Sequence, residues 1–383
     1  MRFCVEGGRR FSLAAAFVAT CALPSVASPP QTTSPPQATS PPQATSLAEP
    51  ARLVSGVVDG RSVEGLELVR SSHRRLVLDR DGWLHDFDPL RVEHSLHPRE
   101  GRFQPLDATQ MRARLAAEFG RSFEVTATTH FLVVTPVGRG TQWPQTFERL
   151  HRTFTTFLAL RGVRVLEGNF PMVAIVMPDR ESMREYLAEL GIRTPDALGV
   201  YDQASNRIVM YDHGGSHGGV ATTICHEAAH QSAFNTGVHS RVVDTPLWVV
   251  EGLGGLFQAS PLVEGRPGVT RRERCDAGLL AVFEEIYAGR ADLLARDLKS
   301  LVEEDRMFAG RESSRAAYAL SWALTFYLVE ARSDVYANLL HCYGRLPPLR
   351  NYEAVSRIRD FERILGADIA TVSHRLSRFY ERL

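Results

Sequence analysis

The chain comprises 383 residues, 44% hydrophobic and 23% charged, which gives enough apolar material for a large core and for two domains or one with appendages. Lys+Arg and Asp+Glu balance at 44 each, so no strong net field directs the protein to nucleic acid or to an anionic membrane. Partner choice must then rest on a local site.

In chain order, Arg2, Arg9 and Arg10 precede an apolar stretch from Phe11 to Leu23, and Ser25-Val26-Ala27 offers small residues for cleavage. This pattern predicts an export signal over 1–27. The apolar run is too short to cross a bilayer core of about 30 Å, so no transmembrane segment is expected in a mature chain beginning near Ser28. A periplasmic or secreted protein is expected. Arg9-Arg10-Phe11 hints at the twin-arginine route, and the imperfect Thr20-Cys21 site makes lipid anchoring the lesser alternative. Residues 28–50, built from Pro, Ser, Thr and Gln, lack core-forming side chains and read as an extended linker. Cys4 and Cys21 would leave with the signal. The remaining Cys225, Cys275 and Cys342 form no disulfide framework, and one bridge or three free thiols are both open.

Residues 51–107 alternate in short runs broken by turn signals such as Asp79-Arg80-Asp81-Gly82, which predicts a small β-rich segment. A helix is expected over 108–120, paired strands at 123–128 and 131–135, a helix over 143–160, a strand at 173–176 and a helix over 181–190. A hairpin should join 199–201 to 208–211, and nearly everything after Thr222 has helical periodicity. The expected class is α+β, with a mixed sheet-and-helix lobe over 108–260 and a mainly α-helical lobe over 261–383.

The chemistry concentrates in Cys225-His226-Glu227-Ala228-Ala229-His230. On a helix, residues four apart share a face, so His226 and His230 can converge on one point with Glu227 beside them, the H-E-x-x-H signature of zinc peptidases. Neutral imidazoles suit Zn²⁺ at about 2.0–2.1 Å, and a catalytic site needs a third protein ligand and an open fourth position. The metzincin extension would place a glycine and a histidine where this chain has Ala233 and Thr236, leaving His239 only as a spare candidate. Glu251 is the better third ligand. It lies in Thr245-Pro246-Leu247-Trp248-Val249-Val250-Glu251-Gly252, where Thr245 can cap and Pro246 can open a second helix. An unpaired carboxylate amid such apolar neighbours is costly unless it meets a cation.

With its H-E-x-x-H followed by Trp248-x-x-Glu251-Gly252, the sequence resembles the gluzincin metallopeptidases, and more narrowly the secreted bacterial peptidase MA-like proteins, over roughly 123–330. The resemblance implies a zincin-like fold with its cleft between the lobes, a zinc ion on His226, His230 and Glu251, and a peptide or protein substrate. It also implies Glu227 as general base and Tyr318 as a donor to the developing oxyanion. In many such enzymes an aspartate four residues past the glutamate ligand supports the first histidine. Gly255 occupies that place here; a backbone carbonyl or Asp244, which fits a turn or cap equally well, could substitute, and the support is left unassigned. The strand ending at Tyr211 would be the edge that pairs with substrate, making Val209 and Met210 cleft candidates.

Blander readings compete at each position. Glu251 could face solvent, and Trp322, Phe326 and even Tyr318 could be simple core. His213 and His217 sit among glycines and fit a polar loop, while Arg266, Arg271, Arg272 and Arg274 fit a solvated surface better than a docking patch. A peptidase-like zinc-binding protein without turnover would keep the fold and the metal, although Glu227 would then have no use. A structural zinc site would need a fourth ligand, and Cys225 points about 100° from His226 on a helix.

Overall fold

The computed structural model describes residues 51–193, 197–212, 218–259, 270–348 and 351–383, without the side chains of 218–221. The expected signal and linker, together with His213, His217 and Arg266, lie outside the described residues.

Five short strands come first: β1 (Arg52–Val58), β2 (Arg61–Arg70), β3 (Arg75–Asp79), β4 (Leu84–Phe87) and β5 (His94–Pro98). They form an antiparallel sheet in the order β4-β3-β2-β1-β5 around Val54, Val58, Val63, Val77 and Phe87. The β3–β4 turn fastens this sheet to the rest of the chain, with the Leu84 N–H donating to Ala204 O at 2.7 Å and Arg114 pairing with Asp81 at 2.9 Å.

Next come α1 (Ala108–Phe119), β6 (Phe123–Ala127), β7 (Phe131–Pro136), α2 (Trp143–Ala159), β8 (Met172–Met177), α3 (Arg180–Glu189), β9 (Gly199–Asp202) and β10 (Arg207–Tyr211). The second sheet runs β6-β7-β8-β10-β9, with β7, β8 and β10 parallel and the two edge strands antiparallel to their neighbours. Strands such as Phe131-Leu132-Val133-Val134 are apolar without interruption because both faces are covered. Leu132 and Val134 meet Met111, Leu115 and Met183 of α1 and α3, while Phe131 and Val133 meet Phe147, Leu150 and Ala228 on the opposite side.

One expectation is overturned here. The strand carrying Val209 and Met210 is interior, flanked by β8 and β9, and both side chains are buried. The chain crosses from β8 to β10 in parallel and leaves the returning strand β9 outermost, so the sheet edge beside the motif belongs to β9.

The remainder is helical: α4 (Gly218–Asn235), α5 (Leu247–Leu256), α6 (Ala277–Tyr287), α7 (Ala291–Glu303), α8 (Arg311–Ala331), α9 (Ser333–Tyr343), α10 (Ala354–Leu365) and α11 (Ile369–Tyr380). The α+β class is thus observed, and no helix among the described residues is long and apolar enough to cross a membrane. The central α8 buries Trp322 and Phe326 in the core, as simple packing predicts. Arg271 and Arg272 are exposed, as a solvated surface predicts, whereas the half-buried Arg274 pairs with the buried carboxylate of Glu330, which Arg161 and Arg271 also approach.

Helix α5 packs tightly on α8 because it is nearly bare on that side. A Cβ on Gly252 would lie 2.1 Å from Thr325 Oγ1 and 2.6 Å from Ser321 O, and one on Gly255 would touch Trp322 at 3.4 Å. Glycine inside a helix costs about 0.8–1.0 kcal/mol relative to alanine. The close approach of two helices offsets that cost.

Candidate metal centre

Helix α4 supplies two of the predicted ligands and α5 the third. The stop signal after Asn235 operates as expected: α4 ends there and Gly237 takes a φ of +73°, a left-handed conformation that glycine adopts without strain. The start of α5 differs. Pro246 rather than Thr245 is the capping position, Thr245 Oγ1 finds no partner among the described residues, and the Leu247 N–H donates to Asp305 Oδ1 at 3.0 Å. Asp305 is held in turn by Arg357 through two bonds of 2.9 and 3.0 Å. A partner 58 residues away fixes the entry of the helix that carries Glu251.

Three ligand atoms converge. His226 Nε2 lies 2.8 Å from His230 Nε2 and 3.1 Å from Glu251 Oε2, and His230 Nε2 lies 3.7 Å from that same oxygen. Ligands about 2.0–2.1 Å from a tetrahedral ion are separated by roughly 3.3 Å, so the three atoms fit one face of such a site. They form the one group of potential metal ligands found among the described residues. All three side chains are buried, at 1–3% exposure, which excludes the solvent-facing reading of Glu251.

The electrostatics favour a positive charge at this point. Burial would raise the Glu251 carboxyl, but hydrogen bonds and charge from His226 and His230 hold it down at about 2. Burial opposes a charge on His226, yet Glu251 wins and raises it, whereas burial and the neighbouring His226 lower His230. Two imidazoles and a carboxylate sealed from water therefore keep one positive charge among them, which a proton or a metal ion can supply.

Gly254 makes the convergence possible. A Cβ there would lie 2.7 Å from His226 Cε1 and 2.8 Å from His230 Cε1, so the two rings occupy the space a side chain would fill.

Glu227 is fully buried beside the ligands and its two oxygens are differently engaged. Oε2 accepts the Tyr201 N–H of β9 at 2.7 Å, while Oε1 has no donor among the described residues. Desolvation pushes the carboxyl up to about 8. Tyr318, half-buried on α8, packs edge-on to Phe308 and lies near enough for Glu251 and Glu227 to act on it. Burial first, then those two charges, push its phenol well above the ordinary value.

Neither spare candidate joins the centre. Asp244 is not the partner of either ring's Nδ1, and its charge adds to the larger influence of Asp86 on Arg74, in the turn between β2 and β3. His239 is buried against Phe234, outside the ligand group, with burial lowering it to about 3. The residue that does meet His226 was missed: Gln258 Nε2 lies 2.7 Å from His226 Nδ1. With Nε2 turned to a cation, Nδ1 carries the ring proton, and a half-turn of the amide presents its oxygen as acceptor. His230 Nδ1 meets no partner among the described residues. Cys225, Cys275 and Cys342 are free thiols, and burial pushes Cys225 and Cys275 up to about 12.

A model for the family described as "Protein of unknown function (DUF1570)" matches residues 220–350, the stretch that holds α4, α5 and α8 with the whole ligand group. No curated protein matches the chain.

Proposed function

We propose that the protein is an exported, zinc-dependent metallopeptidase of gluzincin type that hydrolyses peptide bonds in a cleft between its two lobes. The observation that carries this reading is the pairing of a buried three-atom ligand set with a fourth buried group, Glu227, that is held by one oxygen and offers the other. The donor set of two imidazoles and one carboxylate suits zinc and is one of the catalytic sets, in which a ligand position stays open. The ion supplies Lewis acidity toward a water and toward the scissile carbonyl.

The remaining work falls to the chain. His226, His230 and Glu251 hold the ion, and Gln258 orients the His226 ring. Oε1 of Glu227, which accepts no hydrogen bond among the described residues, takes the proton of the attacking water and hands it to the leaving amine. The Tyr318 hydroxyl, kept protonated by burial and the two nearby carboxylates, donates to the oxyanion as charge develops. The small-residue site at 25–27 and the basic, then apolar, run before it support export.

The test is metal content and cleavage of a mixed peptide library by the purified mature protein and by Glu227→Gln. Near-stoichiometric zinc in both, with cleavage by the parent alone, is the expected result. Metal in both without cleavage by either points to a zinc-binding module without turnover, and absence of zinc from both overturns the reading.

A further inference from the structure

The motif helix carries a second polar stripe beside the one that binds metal. Glu227, Gln231 and Asn235 recur every four residues, so they share a face of α4, and each reaches the β9–β10 hairpin or its neighbour β8. Glu227 accepts the Tyr201 N–H. Gln231, fully buried, donates from Nε2 to Asn206 O at 2.9 Å and to Val173 O at 3.0 Å. Asn235 and Asn206 exchange a reciprocal pair of amide bonds at 2.8 and 2.9 Å, and the Tyr201 hydroxyl donates to the same Asn206 Oδ1 at 2.9 Å. Asn206 makes these contacts from the hairpin turn with a φ of +61°, a conformation asparagine tolerates better than most residues.

The loop between α4 and α5 holds the same turn from another side. Arg241 donates to Gln203 O at 2.7 Å and to Ala204 O at 2.8 Å, and also to Gly82 O of the N-terminal sheet at 2.8 Å. Strand β9 is the sheet edge, so no further strand fixes its distance from α4. Side chains of α4 do so instead.

We propose that Gln231, Asn235 and Asn206 are positioning residues: together they clamp β9 at the spacing from α4 at which the Tyr201 N–H fixes Oε2 of Glu227 and leaves Oε1 without a donor among the described residues. The catalytic consequence rests on the peptidase reading above, but the clamp itself does not. A displacement of β9 by about 1 Å breaks the 2.7 Å bond and frees the carboxylate to rotate, and errors of that size cost reactions up to a hundredfold.

The test is hydrogen exchange at the Tyr201 amide, followed by NMR in the metal-free and zinc-loaded protein, for the parent, Asn206→Gly and Asn235→Ala. Glycine accepts the Asn206 backbone conformation, so that variant removes the amide pair with little strain. Both variants should exchange Tyr201 about tenfold faster while the interior strands β7 and β8 keep their protection. Zinc affinity should stay within about threefold, and kcat should fall about tenfold at unchanged KM. Asn206→Asp keeps the acceptor for Tyr201 and Asn235 but sets a carboxylate oxygen against Asn235 Oδ1, so it should not restore the parent's protection.

Unchanged Tyr201 exchange in both variants overturns the clamp. So does loss of zinc affinity and of β7–β8 protection in step with it, which marks general destabilisation, or an unaltered kcat once protection is lost. If the parent cleaves no peptide, the peptidase reading falls alone, and exchange in the metal-free protein still decides whether the clamp exists.

Discussion

The two helices that build the candidate metal centre are positioned in opposite ways. Helix α4 is placed by what its side chains do: His226 and His230 point to α5, Glu227, Gln231 and Asn235 engage the hairpin, and Ser232 meets His151 on α2 at 3.0 Å. Helix α5 is placed by what its side chains lack, since Gly252 lets it approach α8 and Gly254 admits the two imidazole rings. The first mode tolerates a change of partner, because a hydrogen bond can be rebuilt or replaced by water. The second does not, because volume added to a close-packed contact must displace something.

The comparison breaks most visibly at the glycines. Gly252→Ala pushes a methyl group onto Ser321 O, a backbone atom that cannot swing aside, and should cost about 3 kcal/mol or more in chemical denaturation. Gly254→Ala meets the outer atoms of two side chains instead, at 2.7 and 2.8 Å. The rings can turn away, so the fold should hold while the ligand set opens. Zinc affinity, measured by competition with a chromophoric chelator, should fall by about a hundredfold. If Gly252→Ala proves harmless, the two helices are not packed as described.

The same contrast explains what the sequence made legible. Side chains of α4 announce themselves, because His226, Glu227 and His230 at a helical spacing admit few other uses. The neighbouring strands and helices were readable for a similar reason, as apolar runs such as Met172–Met177 and capped helices such as α3 follow local rules. Glu251 was found through the cost of a carboxylate among apolar neighbours. Features that depend on distant chain segments were not readable. The cap of α5 comes from Asp305, the support of His226 comes from Gln258 beyond the helix end, and β9 rather than β10 forms the edge because of a crossover in the sheet. Gly254 is intermediate: a glycine inside a predicted helix signals a close approach, but the sequence does not say to what.

Gln258 sharpens the comparison at a smaller scale. Gln258→Leu removes the partner of His226 Nδ1 without adding bulk against the rings, and zinc affinity should fall about tenfold, within the range found for indirect supports of a metal ligand. Gln258→Glu restores an acceptor and should recover binding, an outcome that simple loss of packing does not allow.

The smallest effect is expected where α4 turns away from both the metal and the hairpin. His151 is kept neutral by burial first and then by the nearby His130, with its pKa lowered to about 4, and its Nδ1 pairs with Ser232 Oγ. Ser232→Ala leaves that ring nitrogen buried without its partner, at a cost of about 1–2 kcal/mol in denaturant. Zinc affinity and the exchange rate of the Tyr201 amide should not change, because neither stripe of α4 that serves the centre includes Ser232. A parallel loss of zinc binding in this variant would mean that α4 responds as one rigid unit, with no division of labour among its faces.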